Sequence, residues 1–353
     1  MSDIPQSSGF SGREGEKSRL SEMVQALLDP RAYPDAPPRV KMMQTQMSFV
    51  FLAGDYVYKV KKPVDLGYLD YTTLEKRQFY CQREVELNQR LCPDIYLGVV
   101  PIVRRKDDIL VEGKGEIIDY GVKMRYLPQE AMMDGLLAGN QVSVAMVTSV
   151  ARKLVEFHQT AETNAAISVF GDLDTISGNA EENFNQTVAY IGRTISQERY
   201  RHINGYTRSF IDDNSSLFRQ RVAYGKIRDC HGDLHAAHIC FIDDICIYDC
   251  IEFNDRFRYC DVASEVAFLA MDLDHYRRPD LSRSFVNAYV TLSHDDELYR
   301  LLNFYKCYRA YVRGKVEGFK LDAPRIAEEE KEKITTTARE YFELAESYIT
   351  ESK

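Results

Sequence analysis

The pattern of apolar residues changes near Pro128, and this change limits the folds open to the chain. Residues 40–127 consist mostly of runs rich in aromatic and β-branched residues, as in β-strands. Beyond Pro128 apolar side chains recur at helical spacing, as at Val147, Val150 and Leu154. A β-rich half followed by a helical half predicts an α+β protein with two units.

The β-rich half contains a predicted hairpin and one predicted helix. Residues 48–52 (SFVFL) and 56–60 (YVYKV) flank a short turn at Gly54, which is the pattern of a β-hairpin. Residues 74–91 (LEKRQFYCQREVELNQRL) carry leucines at i, i+4 and predict a helix. Three more β-like runs, IYLGVVPIV, DILVEG and IIDYGVKMRYL, bring the prediction to five strands and one helix.

Composition argues against several classes of protein. The 353 residues include 54 acidic and 45 basic side chains, and this acidic balance disfavours nucleic acid as a partner. No apolar run approaches the roughly 18 residues of a membrane helix, so no membrane partner is expected. The N-terminal stretch MSDIPQSSGFSGREGEKS lacks the apolar core of a secretory signal and has the composition of a disordered tail. These features predict a cytoplasmic protein.

The cysteines fit the same compartment. The chain has eight, and none forms a C-x-x-C pair of the kind found in zinc sites. We therefore expect eight free thiols, most of them buried as small hydrophobic side chains.

One short stretch concentrates residues suited to catalysis. Residues 231–238 read HGDLHAAH, and two short β-like runs follow, the second ending at the aspartate of IYDCIEFN. In the β-rich half, Lys59 lies inside the predicted strand YVYKV, and Glu84 lies on the predicted helix. A buried lysine requires a counter-charge, which a glutamate on a neighbouring helix supplies.

This order of motifs resembles the aminoglycoside phosphotransferase branch of the protein-kinase-like superfamily, over about residues 40–321. The resemblance implies a two-lobed fold, in which a tail and lead-in helix (1–36) precede an antiparallel β N-lobe with one helix (37–127). A mainly helical C-lobe (128–353) would carry the catalytic and metal loops.

Three longer segments look closer still to an uncharacterised bacterial subgroup of that branch, namely FLAGDYVYKVKKPVDLGYLDYTTLEKR, VKMRYLP and CIEFNDRFRYCDVASEVAFLAMDL. Some members of the subgroup carry a C-terminal P-loop ATPase domain. Since this chain has no G-x-x-x-x-G-K-[ST] motif, we expect it to correspond to the kinase-like half alone.

The resemblance also implies roles for individual residues in phosphoryl transfer from ATP with Mg²⁺. Asp233 would be the catalytic base and Asp249 a metal ligand. Lys59 would hold the ATP phosphates, paired with Glu84, for which Glu86 is the alternative. Lys59 is preferred to its neighbour two residues on, because Lys61 adjoins Lys62 and Pro63 at what we predict to be a frayed strand end. The main chain of Met124, Arg125 and Tyr126 would contact adenine, as the hinge does in kinases.

Two features depart from the kinase pattern. His238 stands where the superfamily usually has an asparagine that binds a second metal ion. Either His238 binds a softer ion such as Mn²⁺, or an oxygen such as that of Asn254 replaces it, or activity is lost. The segment VKMMQTQMS, which would cover the nucleotide, contains no glycine.

The leading hypothesis is an ATP-dependent phosphotransferase that acts on a hydroxyl of a small-molecule acceptor. The alternatives are a nucleotide-binding pseudokinase that acts as a regulatory module, an enzyme that transfers AMP, and a hydrolase with a metal ion on its histidines. Within HGDLHAAH, we expect His231 to brace the loop by hydrogen bonding to backbone groups, and His235 to point to the acceptor or pack beneath the loop. Only His238 should approach the metal.

Three features outside the motif also receive predictions. The near-helical series Lys306, Arg309 and Arg313 predicts either a solvated basic face or an anion site for the acceptor. His158 is expected to be a core or capping histidine. The pair Asp243-Asp244 is expected to form a hairpin turn.

Overall fold

The computed structural model describes residues 14–242, 244–323 and 326–350. The first 13 residues of the predicted tail and Asp243 of the predicted turn lie outside these ranges. The chain divides into two compact units, the N-terminal unit (Met1–Gln129 and Cys246–Asp255) and the C-terminal unit (Glu130–Ile245 and Arg256–Lys353).

Among the described residues, the N-terminal unit contains one curled antiparallel sheet with the strand order β1-β2-β3-β6-β4-β5. The strands and helices of this unit are α1 (Glu14–Ala26), β1 (Val40–Gln44), β2 (Ser48–Ala53), β3 (Tyr56–Lys61), α2 (Leu74–Gln89), β4 (Tyr96–Arg105), β5 (Asp108–Val111) and β6 (Glu116–Arg125). The prediction of five strands is wrong by one. The segment VKMMQ is a further strand, β1, which pairs antiparallel with β2 at the edge of the sheet.

The predicted hairpin is confirmed. Strands β2 and β3 pair from Ser48–Lys61 to Ala53–Tyr56 around Gly54, whose φ of 65° lies in the left-handed region that favours glycine. The predicted helix is also present as α2, and it begins where the hydroxyl of Thr73 accepts a hydrogen bond from the amide of Lys76.

The two faces of β3 have different environments, because successive side chains of a strand point to opposite faces. Tyr58 and Val60 point into an apolar cluster that includes Met23 and Leu27 from α1 and its end. Lys59 and Lys61 alternate with them on the other face. The sheet therefore has one face built for apolar packing and one face that carries charge.

The C-terminal unit is mainly helical. Its elements are α3 (Met133–Ala138), α4 (Val144–Thr160), α5 (Ala165–Ser168), α6 (Leu173–Thr187), α7 (Gln197–Asp213), α8 (Ser215–Ala223), β7 (Ile227–Asp229), β8 (Ile239–Phe241), β10 (Tyr259–Asp261), α10 (Val262–His275), α11 (Pro279–Ser293), α12 (Leu298–Phe319) and α13 (Glu328–Thr350). Strand β9 (Ile245–Ile247) and helix α9 (Asp255–Arg258) lie at the unit boundaries in sequence. Within the ranges described above, no helix is both long enough and apolar enough to cross a membrane.

The core of the C-terminal unit is built largely around α10 and α12. Phe268 and Met271 of α10 pack with Ala310 and Tyr311 of α12 and with Phe342 of α13. The HGDLHAAH loop belongs to the same unit, since it lies between β7 and β8.

The prediction of eight free thiols is wrong for two cysteines. Cys92, just beyond α2, forms a disulfide with Cys246 of β9, and both belong to the N-terminal unit. The other cysteines carry no disulfide and are mostly buried, as predicted.

Candidate active site

The N-terminal unit brings Lys59, Glu84 and Asp249 together. Nζ of Lys59 lies 2.8 Å from Oε1 of Glu84 and 2.7 Å from Oδ1 of Asp249. The predicted contact between Lys59 and Glu84 is therefore present. The fallback residue Glu86 lies instead near Arg83 and Gln82 on the exposed side of α2.

Lys61 differs from the prediction. It is the last residue of β3 and is fully buried, so its end of the strand is not frayed. Its Nζ lies 2.7 Å from Oε2 of Glu84 and also pairs with the carboxylate of Glu252. The hydroxyl of Tyr71 donates to the same Glu252 at 2.7 Å. Glu84 thus binds one lysine on each of its two oxygens.

The opposite charges of this network favour one another's ionised forms. Burial alone would lower the pKa of Lys59, but the carboxylates of Asp249 and Glu84 outweigh it and hold that pKa well above its ordinary value. Burial likewise opposes the charge of Glu84, but Lys59 and Lys61 lower its pKa. Lys59, Lys61 and Glu84 are therefore charged at neutral pH.

Asp249 lies in a constrained segment after β9. Its φ of 62° is unusual for a residue other than glycine. The hydroxyl of Tyr96 accepts a hydrogen bond from the Asp249 amide at 3.2 Å, and Oδ1 of Asn88 accepts one from the Cys250 amide at 2.9 Å. With Glu252 held by Lys61, the segment is fixed on both sides of Asp249, whose side chain remains 41% exposed.

The predicted adenine-binding segment lies at the end of β6. Met124 pairs with Val57 and Tyr96 in the sheet. The amides of Arg125 and Tyr126 donate 2.9 Å hydrogen bonds to the main-chain oxygens of Ile95 and Asp55. These two amides are therefore engaged within the N-terminal unit, so their N–H groups are not available to adenine in this arrangement.

The HGDLHAAH loop in the C-terminal unit is held by Glu265 of α10. One oxygen of this buried carboxylate accepts the amides of His231 and Gly232, each at 2.7 Å. The other oxygen lies 2.8 Å from Nε2 of His158, whose Nδ1 is 2.7 Å from the hydroxyl of Tyr289. The prediction of His158 as a core histidine is confirmed.

The environment of Glu265 favours its charged form. Burial alone would raise the pKa of Glu265, but the hydrogen bond and charge of His158, with the loop amides, lower it to about 2. This buried anion therefore fixes the start of the loop that carries Asp233.

His231 braces the loop as predicted, since its Nδ1 accepts the amide of Asp233 at 3.3 Å. Gly232, which lies between them, has a φ of 90°, a backbone conformation that favours glycine over other residues. Two further side chains support the same loop. Asp272 of α10 accepts the amide of Ala236 at 2.8 Å, and Arg309 of α12 donates to the oxygen of Gly232 at 3.3 Å.

Both of the remaining loop histidines approach Asp233. Nε2 of His235 lies 3.5 Å, and Nδ1 of His238 3.6 Å, from Oδ2 of Asp233. Two histidines therefore adjoin the proposed base, and that only His238 approaches the metal stays a prediction. Burial alone would raise the pKa of Asp233, but His235 and His238 outweigh it and hold the pKa well below its ordinary value.

The basic series on α12 is neither a solvated face nor an open anion site. Lys306 and Arg309 are buried. Lys306 pairs with Asp274 at 2.5 Å, and Arg313 lies over the ring of Tyr341. Arg309 also donates to Oγ of Ser264 at 3.1 Å. The cations face the interior because α12 packs against α10 and α13.

Sequence reasoning missed several features of this framework: the burial of Lys61 between Glu84 and Glu252, and the roles of Tyr96, Asn88, Glu265 and Asp272. The run CIEFN placed Glu252 three residues after Asp249, and this acidic residue next to a candidate metal ligand was the available signal. Asn254, the other suggested metal ligand, uses its Nδ2 to donate to the oxygen of Tyr68 at 3.2 Å. Asp244 pairs with Lys153.

Comparison with known sequences finds long relatives without a described function. No family model matches the chain. Uncharacterised proteins from Mycobacterium tuberculosis and Mycobacterium bovis are 34% identical over 281 residues, which is 79% of this chain and 55% of each relative. The chain therefore spans about half the length of these relatives.

Comparison with solved structures finds a shared fold at low identity. An amicoumacin kinase aligns with a TM-score of 0.54 and 11% identity over 94% of this chain and 96% of its own. A choline/ethanolamine kinase family protein from Mesorhizobium loti aligns at 0.51 and 11% identity, over 93% and 99% of the chains. An aminoglycoside 2'-phosphotransferase-IIIa aligns at 0.51 and 14% identity, over 97% and 100%. The fold, with its antiparallel N-terminal sheet and helical C-terminal unit, is thus protein-kinase-like.

Proposed function

We propose that the chain transfers the γ-phosphoryl group of ATP to a hydroxyl of a small molecule. The observation that carries the proposal is the position of Lys59, a charged lysine only 17% exposed between Glu84 and Asp249. In kinases a strand lysine paired with a helix glutamate holds the phosphates, and a nearby aspartate holds the metal. The shared fold and the names of the aligned kinases and phosphotransferase support this reading.

Each candidate residue would then have a distinct task. Lys59 would bind phosphate oxygens, positioned by Glu84, while Lys61 and Glu252 fix the segment that carries Asp249. Asp249 would hold Mg²⁺, which suits its partly exposed carboxylate because Mg²⁺ prefers oxygen ligands. When bound, Mg²⁺ neutralises charge on the phosphates. Asp233 would orient the acceptor hydroxyl and accept its proton, held in place by the Glu265 network.

The engaged amides of Arg125 and Tyr126 refine the hinge proposal. If adenine binds beside this segment, main-chain oxygens or the residues that follow would provide the contacts. We also propose that the chain belongs to the subgroup in which some members carry a P-loop ATPase domain. The greater length of the mycobacterial relatives is compatible with an additional domain in them.

A nucleotide-binding pseudokinase is the second candidate, and His238 is the observation that favours it. An imidazole occupies the position of the usual asparagine, and its Nδ1 lies 2.9 Å from the main-chain oxygen of Asp233. Such a residue offers nitrogen where Mg²⁺ prefers oxygen. The chain would then bind ATP and regulate a partner without turnover.

The deciding experiment combines binding with turnover. The full chain would be titrated with ATP and then incubated with ATP, Mg²⁺ or Mn²⁺, and a panel of hydroxyl-bearing small molecules. Mass spectrometry would distinguish phosphorylated from adenylylated products. A phosphorylated acceptor that disappears in Asp233→Asn supports the phosphotransferase. ATP binding without any product favours the pseudokinase, adenylylated product favours AMP transfer, and absence of ATP binding overturns the proposal.

A further inference from the structure

The side chains of Asp233, His235 and His238 form a compact group of potential metal ligands. One ligand atom from each residue lies within 4.8 Å of the ligand atoms of the other two. Oδ2 of Asp233 is the shared point, 3.5 Å from Nε2 of His235 and 3.6 Å from Nδ1 of His238. All three residues belong to one loop of the C-terminal unit.

The loop holds these side chains in place before any ion binds. The rings of His235 and His238 lie with centroids 4.0 Å apart and planes tilted by 37°, and His235 also packs beside Phe268 of α10. His235 is followed directly by a 3-10 turn, Ala236–His238, which ends at the second histidine. The carboxylate of Asp272 accepts a hydrogen bond from the first amide of this turn. The histidine side chains are only 9% and 14% exposed, whereas that of Asp233 is 32% exposed.

The spacing and the donor atoms match one class of cation. Two ligands at about 2.0–2.1 Å from a tetrahedral Zn²⁺ lie about 3.4 Å apart, close to both measured separations. Two imidazole nitrogens and one carboxylate favour Zn²⁺ and related transition-metal ions over Mg²⁺. An ion on Nδ1 of His238 would replace the hydrogen bond that this atom makes with the main-chain oxygen of Asp233.

We propose that Asp233, His235 and His238 form a binding site for a transition-metal cation of the Zn²⁺ class. With three protein ligands, a tetrahedral ion keeps one position for water or another small ligand. Its ligands, one carboxylate and two imidazoles of a single loop, differ in chemistry from the carboxylate proposed to hold Mg²⁺ at Asp249. It does not rest on the proposed function, but if both hold, Zn²⁺ occupies the carboxylate that would accept the acceptor proton and therefore inhibits transfer.

The test measures binding of the metal itself. The full chain, freed of metal by a chelator, would be titrated with Zn²⁺ by calorimetry and with Co²⁺ by visible absorption. We expect one ion per chain and the visible bands of four-coordinate Co²⁺. His235→Gln and His238→Asn should each weaken Zn²⁺ binding by about 100-fold or more, because loss of an outer-shell partner alone costs 10–100-fold. His202→Gln is the matched control, because His202 is an exposed histidine that pairs with Glu346 on α13.

Each result bears on the proposal. Unchanged Zn²⁺ affinity in both loop variants, or no binding by the folded wild-type chain, overturns it. A strong sulfur-to-cobalt charge-transfer band also overturns it, since it places the ion at a cysteine, such as Cys230 in the buried group with His158 and Glu265. Circular dichroism of both loop variants excludes unfolding as the cause of lost binding. Because ATP is absent from the titrations, failure of the proposed phosphotransfer would leave their outcome unaffected.

Discussion

Nζ of Lys61 lies 2.7 Å from Oε2 of Glu84, and neither side chain is more than 1% exposed. A buried ion pair of this kind contributes little net stability. Removal of one partner is nevertheless costly, because it leaves the other charge buried without a counter-charge. The more exposed lysine of the same strand binds the other oxygen of that glutamate. Lys59 and Lys61 lie two residues apart on the same face of β3. Replacing one should therefore have a different effect from replacing the other.

The first prediction separates these two roles. Lys61→Met should lower the free energy of unfolding by about 3–5 kcal/mol, because it leaves the buried carboxylate of Glu252 without its cation and Glu84 with Lys59 alone. Lys59→Met should lower it less, because Glu84 keeps Lys61, but should greatly weaken ATP binding. Urea unfolding and ATP titration of both variants provide the measurement. The assignment of Lys59 to the phosphates fails if Lys59→Met binds ATP like the wild type.

The second prediction concerns Asp233. Asp233→Asn should lower turnover of ATP with an acceptor by roughly 10²–10⁴-fold while leaving ADP affinity nearly intact, which is the usual scale for loss of a general base. Asp249→Asn is the contrasting variant and should remove the gain in ADP affinity that Mg²⁺ provides. Steady-state kinetics and ADP titrations with and without Mg²⁺ measure both effects. Unchanged turnover in Asp233→Asn would exclude its role as the base.

The resemblance to kinases implied the contact between Lys59 and Glu84, and local patterns supported it. Strand alternation put Lys59 on the charged face, and a helix after the hairpin supplied an acidic partner. The environment of Lys61 could not be inferred in the same way. Two successive lysines before a proline usually mark an exposed strand end, and the residue that makes burial possible, Glu252, is 191 residues away in sequence.

The cations of α12 and the disulfide illustrate the same limit. The spacing of Lys306, Arg309 and Arg313 correctly indicates a shared helix face but does not reveal which surface covers that face. Arg309 contacts the HGDLHAAH loop only because α12 packs against α10. Cys92 and Cys246 are 154 residues apart, and their pairing depends on tertiary geometry that no local pattern contains.

The third prediction concerns pH and Glu265. Its pKa is about 2 in the folded chain, below the ordinary 4.5. A lowered pKa contributes stability that is present above about pH 4.5 and lost as the pH falls toward 2, on the order of 3 kcal/mol. Glu265→Gln should therefore lower stability at neutral pH and flatten the loss of stability between pH 4.5 and 2.

Urea unfolding across that pH range provides the measurement. Glu181→Gln is a control, because Glu181 forms an exposed pair with Arg208 and should change stability by less than about 1 kcal/mol. An acid dependence of Glu265→Gln as steep as that of the wild type would show that Glu265 is not the titrating group.

The fourth prediction concerns the disulfide. Alkylation of the denatured chain without reductant should modify six of its eight cysteines, and all eight after reduction. Cys246→Ser should lower the free energy of unfolding by about 2–4 kcal/mol under non-reducing conditions, since the bond closes a long loop. In reducing buffer the difference from the wild type should shrink. Full alkylation of eight cysteines without reductant would show that the bond is absent.

The last prediction concerns His238 and the choice of metal. His238→Asn replaces an imidazole with an amide oxygen donor, which Mg²⁺ prefers, so the variant should retain or exceed wild-type activity with Mg²⁺. If His238 is a metal ligand during turnover, the wild type should work better with Mn²⁺ than with Mg²⁺, and the variant should lose that preference. Turnover with each metal, alongside the His202→Asn control, provides the comparison. Complete loss of activity in a folded His238→Asn chain would show that the imidazole itself is required, because the usual kinase side chain could not replace it.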